Sequence, residues 1–261
     1  MTQRRIITLL SDFGLQDTYV AAMKGAIAQV NPHLTTIDLT HQIPPQNIAA
    51  GRFCLLSAYP YFPTGTVHIA VVDPGVGSRR RGIAVQLPEG FALGPDNGLL
   101  SGLLTLSPVL AAVELTNTHY WHTPEPSLTF HGRDIFAPAG AHLASGVPLE
   151  ELGEVINPAS LVELPISHYQ ETEVGIEGYI QYIDRFGNLV TNIPAAAVAG
   201  KTWSLLVGRR SLPHSLTYSD GQPGSITALV GSHGWVEIAV NRGSAQSLLR
   251  LNYGDPVRIV F

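Results

Sequence analysis

Val71-Val-Asp-Pro-Gly-Val-Gly-Ser-Arg-Arg-Arg-Gly82 joins an apolar run to a glycine-rich bend and then to three consecutive arginines. The run His68-Ile-Ala-Val-Val72 reads as a buried strand, so Asp73 is delivered at a strand end. The Gly75-Val-Gly77 bend lets one of Arg79, Arg80 or Arg81 fold back over that carboxylate. A later stretch, Thr129-Phe-His-Gly-Arg-Asp134, echoes the pattern by placing His131 straight after Leu128-Thr-Phe130. An aspartate, an arginine and a histidine are thereby positioned to meet around one small molecule.

Working outward, Ile6 to Leu10 is a short apolar run that breaks at Ser11-Asp-Phe-Gly14, and Asp17-Thr18 offers a cap for a helix ending near Val30. A strand over 35–39, a helix over 47–59 and a strand over 67–72 follow. Strands alternating with helices predict an α/β domain with a mostly parallel central sheet covered on both faces. In such sheets ligands bind beyond the carboxyl ends of the strands, where Asp12 and Asp73 both lie. Residues 83–87 and the Pro-Glu-Gly turn after them predict a hairpin, 99–104 a short helix, 109–115 a strand, and 132–145 a helix that Pro138 must enter early or kink. Residues 146–172 are Pro-rich and weakly patterned, as a connection would be. Beyond them, runs at 174–183, 203–207, 225–230, 235–240 and 257–261 predict a small antiparallel barrel or sandwich, with a helical turn or two over 243–251. The expected division is an α/β domain over 1–165 and a smaller all-β domain over 173–261.

With 261 residues, 45% hydrophobic and 13% charged, the chain can bury a large core, and its low charge suggests surface hidden in an oligomer. A formal charge of -5, with Lys24 and Lys201 the sole lysines, argues against nucleic acid or an acidic membrane as partner. The single Cys54 excludes an intrachain disulfide framework and fits a reducing compartment. No apolar run approaches a signal segment or a membrane span, so the expectation is a cytoplasmic protein. His33, His41, Asp73, Asp96 and His131 are available as metal ligands, yet no His-x-x-x-His or Cys-x-x-Cys spacing groups them, so no metal or cofactor is expected. The absence of a Gly-x-Ser-x-Gly elbow and of a P-loop argues against a serine hydrolase or an NTPase.

Several residues have both a binding and a plain structural reading. Asp12 and Asp17 can hold the cis hydroxyls of a ribose, or merely cap the turn and the helix. Asp73 and Arg80 can position water or form a turn ion pair; His131 can be a general base, a donor or a buried structural imidazole. Ile183-Asp-Arg-Phe-Gly-Asn188 combines Asp184, Phe186 and Asn188 at a tight turn suited to a flat base, unless Phe186 joins the core. Gly231-Ser-His-Gly-Trp-Val-Glu-Ile-Ala-Val-Asn241 offers Ser232 and Glu237 to a polar zwitterion.

Taken together, Ser11-Asp-Phe-Gly14, Asp73-Pro-Gly-Val-Gly77, Pro95-Asp-Asn-Gly98, Thr129-Phe-His-Gly-Arg-Asp134, Asp184-Arg-Phe-Gly-Asn188 and Gly231-Ser-His-Gly234 resemble the S-adenosyl-L-methionine hydroxide adenosyltransferases over nearly the full chain. These are relatives of the fluorinases and chlorinases. The resemblance implies hydrolysis of S-adenosylmethionine to adenosine and L-methionine by a homotrimer, with sites between one subunit's first domain and its neighbour's second. It carries an Asp-Arg-His triad onto Asp73, Arg80 and His131, where fluorinases look to have tyrosine in place of Asp73 and of His131. It implies that Asp12 holds the ribose diol and Asp17 supports it. Phe186, Asn188 and the backbone near Val240 and Arg242 fall at the adenine, and Asp184, Ser232 and Glu237 at the methionine end. His233 stands where the halogenating relatives have arginine, which leaves the pairing of the substrate carboxylate open. A halide-using transferase, a non-catalytic nucleoside sensor and a metal-dependent hydrolase remain as alternatives.

Overall fold

The computed structural model describes residues 6–166 and 168–261; the N-terminal Arg4 and Arg5 lie outside them. The chain divides into two compact units, the first ending at Leu164 and the second starting at Pro165.

In the first unit β1 (Ile6–Ser11), α1 (Tyr19–Val30), β2 (Thr35–Thr40), α2 (Ile48–Ala58) and β3 (Thr66–Val71) follow the predicted alternation. β4 (Gly82–Leu87), β5 (Gly90–Pro95), α3 (Ser101–Leu104), β6 (Ala111–Glu114), α4 (Ala137–Ala144) and β7 (Glu154–Val155) complete it. The seven strands lie in the order β2-β1-β3-β5-β4-β6-β7. β1 pairs in parallel with β2 and β3, and β3 with β5, whereas β4 is antiparallel to β5 and β6, and β6 to β7. The sheet is therefore mixed, which corrects the expectation of a mostly parallel one. The reason is local: only Pro88 and Glu89 separate β4 from β5, and a parallel return needs a crossover of about a dozen residues.

Strand alternation supplies two apolar faces. Ile7, Leu9, Val67, Ile69 and Val71 pack with Met23, Ala26 and Ile27 of α1 and with Ala137, Ala139, Ala141 and Leu143 of α4. On the other face Gly51 of α2 comes so close to Leu10, Val72 and Leu99 that a Cβ there would lie 2.8 Å from Leu99 Cδ1. Pro138 is the second residue of α4 and follows directly on a π-helical turn, Gly132–Phe136, so the helix predicted over 132–145 changes type just ahead of the proline.

The second unit contains β8 (Gln170–Thr172), β9 (Gly175–Ile183), β10 (Leu189–Pro194), α5 (Ala195–Val198), β11 (Ser204–Val207), β12 (Arg210–Pro213), β13 (Ile226–Val230), β14 (Trp235–Val240), α6 (Ala245–Leu249) and β15 (Pro256–Val260). Its antiparallel sheet runs β12-β11-β15-β9-β10-β14-β13, with β8 on β9, and a bridge between His214 and Ala228 brings its edges together. This is an all-β, nearly closed barrel around Ile176, Ile180, Ile193, Leu205, Ile238 and Ile259. Among the described residues no helix is long and apolar enough to cross a membrane.

Candidate active site

Asp73 leaves the carboxyl end of β3, and the chain turns at once: Val76 N–H donates to the Asp73 carbonyl and Ser78 N–H to that of Gly75. Gly77 adopts φ +76, and a Cβ on it would stand 2.3 Å from the Leu128 carbonyl oxygen, so only glycine lets this bend approach the segment before His131. The bend returns Arg80 onto Asp73. Its Nε donates to Oδ1 at 3.1 Å and to Oδ2 at 2.9 Å, and its Nη2 to Oδ2 at 2.5 Å. The pair is well shielded, with 5% of the Asp73 side chain and 11% of that of Arg80 exposed. The Phe136 ring lies 5.5 Å from the guanidinium carbon.

Both ends of this loop are pinned by Pro95-Asp-Asn-Gly98. Asn97 Nδ2 donates to the Val72 carbonyl at 2.9 Å, immediately before Asp73. Asp96 N–H donates to the Arg81 carbonyl at 3.0 Å, and Arg81 Nε returns a bond to Asp96 Oδ2 at 2.9 Å. Arg79 is exposed, so each of the three arginines has a different environment.

His131 precedes a π-helical turn, Gly132–Phe136, and its Nδ1 lies 2.7 Å from Arg80 Nη2. Burial, then the Arg80 charge, lower its pKa, while Asp73 and Asp134 oppose them. Buried Asp134 anchors the preceding segment by accepting from Ser127 N–H at 2.8 Å and from Arg133, whose guanidinium covers the Phe130 ring. Asp73 and His131 line a cavity of about 400 Å³ together with Asp12, Phe13, Tyr19, Gln46, Val76, Thr129 and Phe130. Phe13, Tyr19 and Phe130 form an aromatic triangle, with centroids 5.8, 5.8 and 5.2 Å apart. Their clue was position alone, since Phe13 and Phe130 each adjoin a polar residue singled out by the motifs.

Asp12 lies on this wall, and its Oδ2 accepts Gln46 N–H at 2.7 Å. Asp17 is exposed and outside the cavity lining; Thr18 takes the N-cap position of α1 without a side-chain cap bond. The capping expected of Asp17-Thr18 is therefore not made.

The other predicted residues belong to the second unit. Asp184 organises its own turn: Oδ1 accepts Phe186 N–H at 2.9 Å and Asn188 N–H at 2.8 Å, and Oδ2 accepts Asn188 Nδ2 at 2.9 Å. Asn188 is buried, whereas Phe186 stands at the tip, 77% exposed rather than in the core. Glu237 is 2% exposed, and its oxygens accept Tyr218 Oη at 2.5 Å and face His233 Nε2 at 2.9 Å. His233 Nδ1 accepts Trp235 N–H at 3.1 Å, so its proton is on Nε2 and points to Glu237. Tyr218, which the sequence did not single out, has its hydroxyl pKa raised by burial and by Glu237. Ser232 and Arg242 are exposed and Val240 is buried; Arg242 has φ 57. Among the described residues no group of three or more His, Cys, Asp or Glu is placed to hold a metal ion.

The models of the SAM hydroxide adenosyltransferase N-terminal and C-terminal domains match residues 7–153 and 178–258. The (R)-S-adenosyl-L-methionine hydrolase of Salinispora arenicola is 42% identical to this chain, covering 97% of each. The fluorinase of Actinopolyspora mzabensis is 30% identical, covering 98% of this chain and 97% of its own. A Thermotoga maritima protein of solved structure superposes with a TM-score of 0.91 at 34% identity, covering 98% of this chain and all of the other. On these matches, which run through both units, the chain belongs to the SAM hydroxide adenosyltransferase family.

Proposed function

We propose that the protein hydrolyses S-adenosyl-L-methionine to adenosine and L-methionine by attack of water on the ribose C5′. The observation that carries this reading is the pairing of a carboxylate acceptor, Asp73, with His131 on one cavity wall, bridged by Arg80. A guanidinium only donates, so His131 Nδ1 accepts from Arg80 and the imidazole proton sits on Nε2. Water both donates and accepts, and so satisfies Asp73 and the Nε2–H together. A halide only accepts and meets the Asp73 carboxylate unfavourably.

In this reading Asp73 takes a proton from the water as its oxygen lone pair forms the bond to C5′. The C5′–S bond breaks, and its electrons leave with methionine as a neutral thioether. The sulfonium needs no acid to depart, so what the site contributes is alignment, exclusion of other water and removal of one proton. Arg80 holds the Asp73 carboxylate oriented and keeps His131 in the donor tautomer. Asp12 would take the ribose diol, with Asp17 supporting that region. Asp184, Phe186, Asn188, Ser232, Glu237, Val240 and Arg242 would serve the adenine and methionine ends. With Nε2–H directed at Glu237, His233 is a poor partner for the substrate carboxylate. The reading extends to a cytoplasmic homotrimer without cofactor, which sedimentation and activity in chelator would test.

The decisive experiment is mass spectrometry of S-adenosylmethionine incubated with the purified protein, with and without chloride or fluoride. Adenosine and methionine alone are the expected products. A 5′-halogenated adenosine would favour the halide transferase, and binding without turnover a nucleoside sensor.

A further inference from the structure

A buried imidazole lies behind the cavity wall. His41, 3% exposed, opens the segment between β2 and α2. Its Nδ1 is 2.7 Å from Oγ of Ser11, which is fully buried, and its carbonyl accepts Gly14 N–H at 2.7 Å. It is thus tied to the β1 loop on both sides of Asp12. At its far end the same segment returns to Asp12, where Gln46 N–H donates to Oδ2 at 2.7 Å. Gln46 makes that bond from φ 64, a left-handed conformation that is strained for a non-glycine residue. On the outer side His41 Nε2 faces Asp38 Oδ1 at 3.2 Å, off the line of a good hydrogen bond, and Asp38 pairs with Lys24 at 2.7 Å.

Serine, histidine and aspartate in sequence suggest a nucleophile, but Ser11 is inaccessible and is absent from the cavity lining. Its Oγ also accepts Phe13 N–H at 3.3 Å. What the network does reach is Asp12, whose Oδ2 it fixes while Oδ1 accepts no hydrogen bond among the described residues.

We propose that His41 is a positioning residue for Asp12, locking the 41–46 segment to the β1 loop so that Asp12 presents one oriented carboxylate edge to a pair of vicinal ribose hydroxyls. The proposal rests on Asp12 being the ribose ligand. Loosening the lock costs affinity only for ligands that carry those hydroxyls.

The test is calorimetric binding of adenosine and of 2′,3′-dideoxyadenosine to the full chain and to the variants Asp12→Ala, His41→Leu, His41→Asn and Ser11→Ala. A hydrogen bond to a charged group is worth about tenfold in affinity or more, so His41→Leu and Ser11→Ala should weaken adenosine about tenfold and leave the dideoxynucleoside unchanged. His41→Asn, whose amide stands near the Nδ1 position, should restore most of the loss. If Asp12→Ala weakens both nucleosides equally, the ribose reading and the proposal fall together. If Asp12→Ala discriminates but His41→Leu and Ser11→Ala weaken both nucleosides alike, only the proposal falls. Should His41→Leu not fold, Ser11→Ala decides by the same criterion.

Discussion

Arg80 donates from Nη2 to Nδ1 of His131 across 2.7 Å, and this one bond fixes which imidazole nitrogen carries the proton. Protonating Nδ1 would set two N–H groups against each other, in keeping with a His131 pKa lowered by burial and by Arg80. His131 should therefore be neutral with the Nε2 tautomer near neutral pH, read from its imidazole nitrogen shifts by NMR. In Arg80→Ala the lowering charge is gone while Asp73 and Asp134 still raise the pKa, so the titration of His131 should move up. An unchanged or lower midpoint would contradict the bond.

Asp73→Asn keeps the side chain's shape but removes the group assigned to take the proton. General-base help is typically worth roughly 10²–10⁴-fold, so methionine release should fall by about that factor. Binding of S-adenosylmethionine should survive, because Asp73 occupies only one part of the cavity wall. Wild-type turnover in the variant would remove Asp73 from the mechanism.

The alternation of apolar runs with capped helices made the first unit legible as α/β, and the strand-end positions of Asp12 and Asp73 followed from it. In the antiparallel half of the sheet the hairpin after 83–87 was legible from its Pro-Glu-Gly turn and is made by β4 and β5, whereas nothing in 109–115 gave the direction of β6. In the second unit β10 and β12 went unread, and β8 lies inside the stretch 146–172 read as a connection. Thr191 and Asn192, polar residues in the middle of β10, are buried and hydrogen-bonded within the sheet. Asp73 was legible because motif and strand end coincide, whereas His131 follows a turn rather than a strand and was legible from its motif alone. Tyr218 on Glu237 and His41 on Ser11 were not, since such pairs form across 19 and 30 residues without a local pattern.

Asn97→Asp tests the anchoring of the catalytic loop. Aspartate keeps the acceptor that Leu99 N–H uses, but cannot donate to the carbonyl of Val72, a residue that is fully buried. An unpartnered buried carbonyl costs about 1–3 kcal/mol, which a urea titration should register. Asp73 is the next residue, so kcat should drop by about tenfold or more while KM changes little, as misplaced reacting groups do. A loss of stability with kcat intact in the folded protein would make Asn97 a structural residue alone.

His68 sets a limit on acid stability. It is 2% exposed on β3, with Nδ1 2.8 Å from Thr8 Oγ1 and its ring against Tyr59 and Phe62. Burial lowers its pKa from 6.5 to about 4, so the fold holds it neutral. Between those values the unfolded chain binds a proton that the folded chain refuses. The stabilisation is therefore complete above the unfolded value and is lost as pH falls towards about 4. At 1.36 kcal/mol per unit the contribution is about 3 kcal/mol. Urea titrations stepped from neutral pH to about pH 4.5 should show the wild type losing stability more steeply than His68→Asn, whose amide still meets Thr8 but takes up no proton. Equal slopes for the two proteins would mean that His68 is protonated in the fold and that acid sensitivity originates elsewhere.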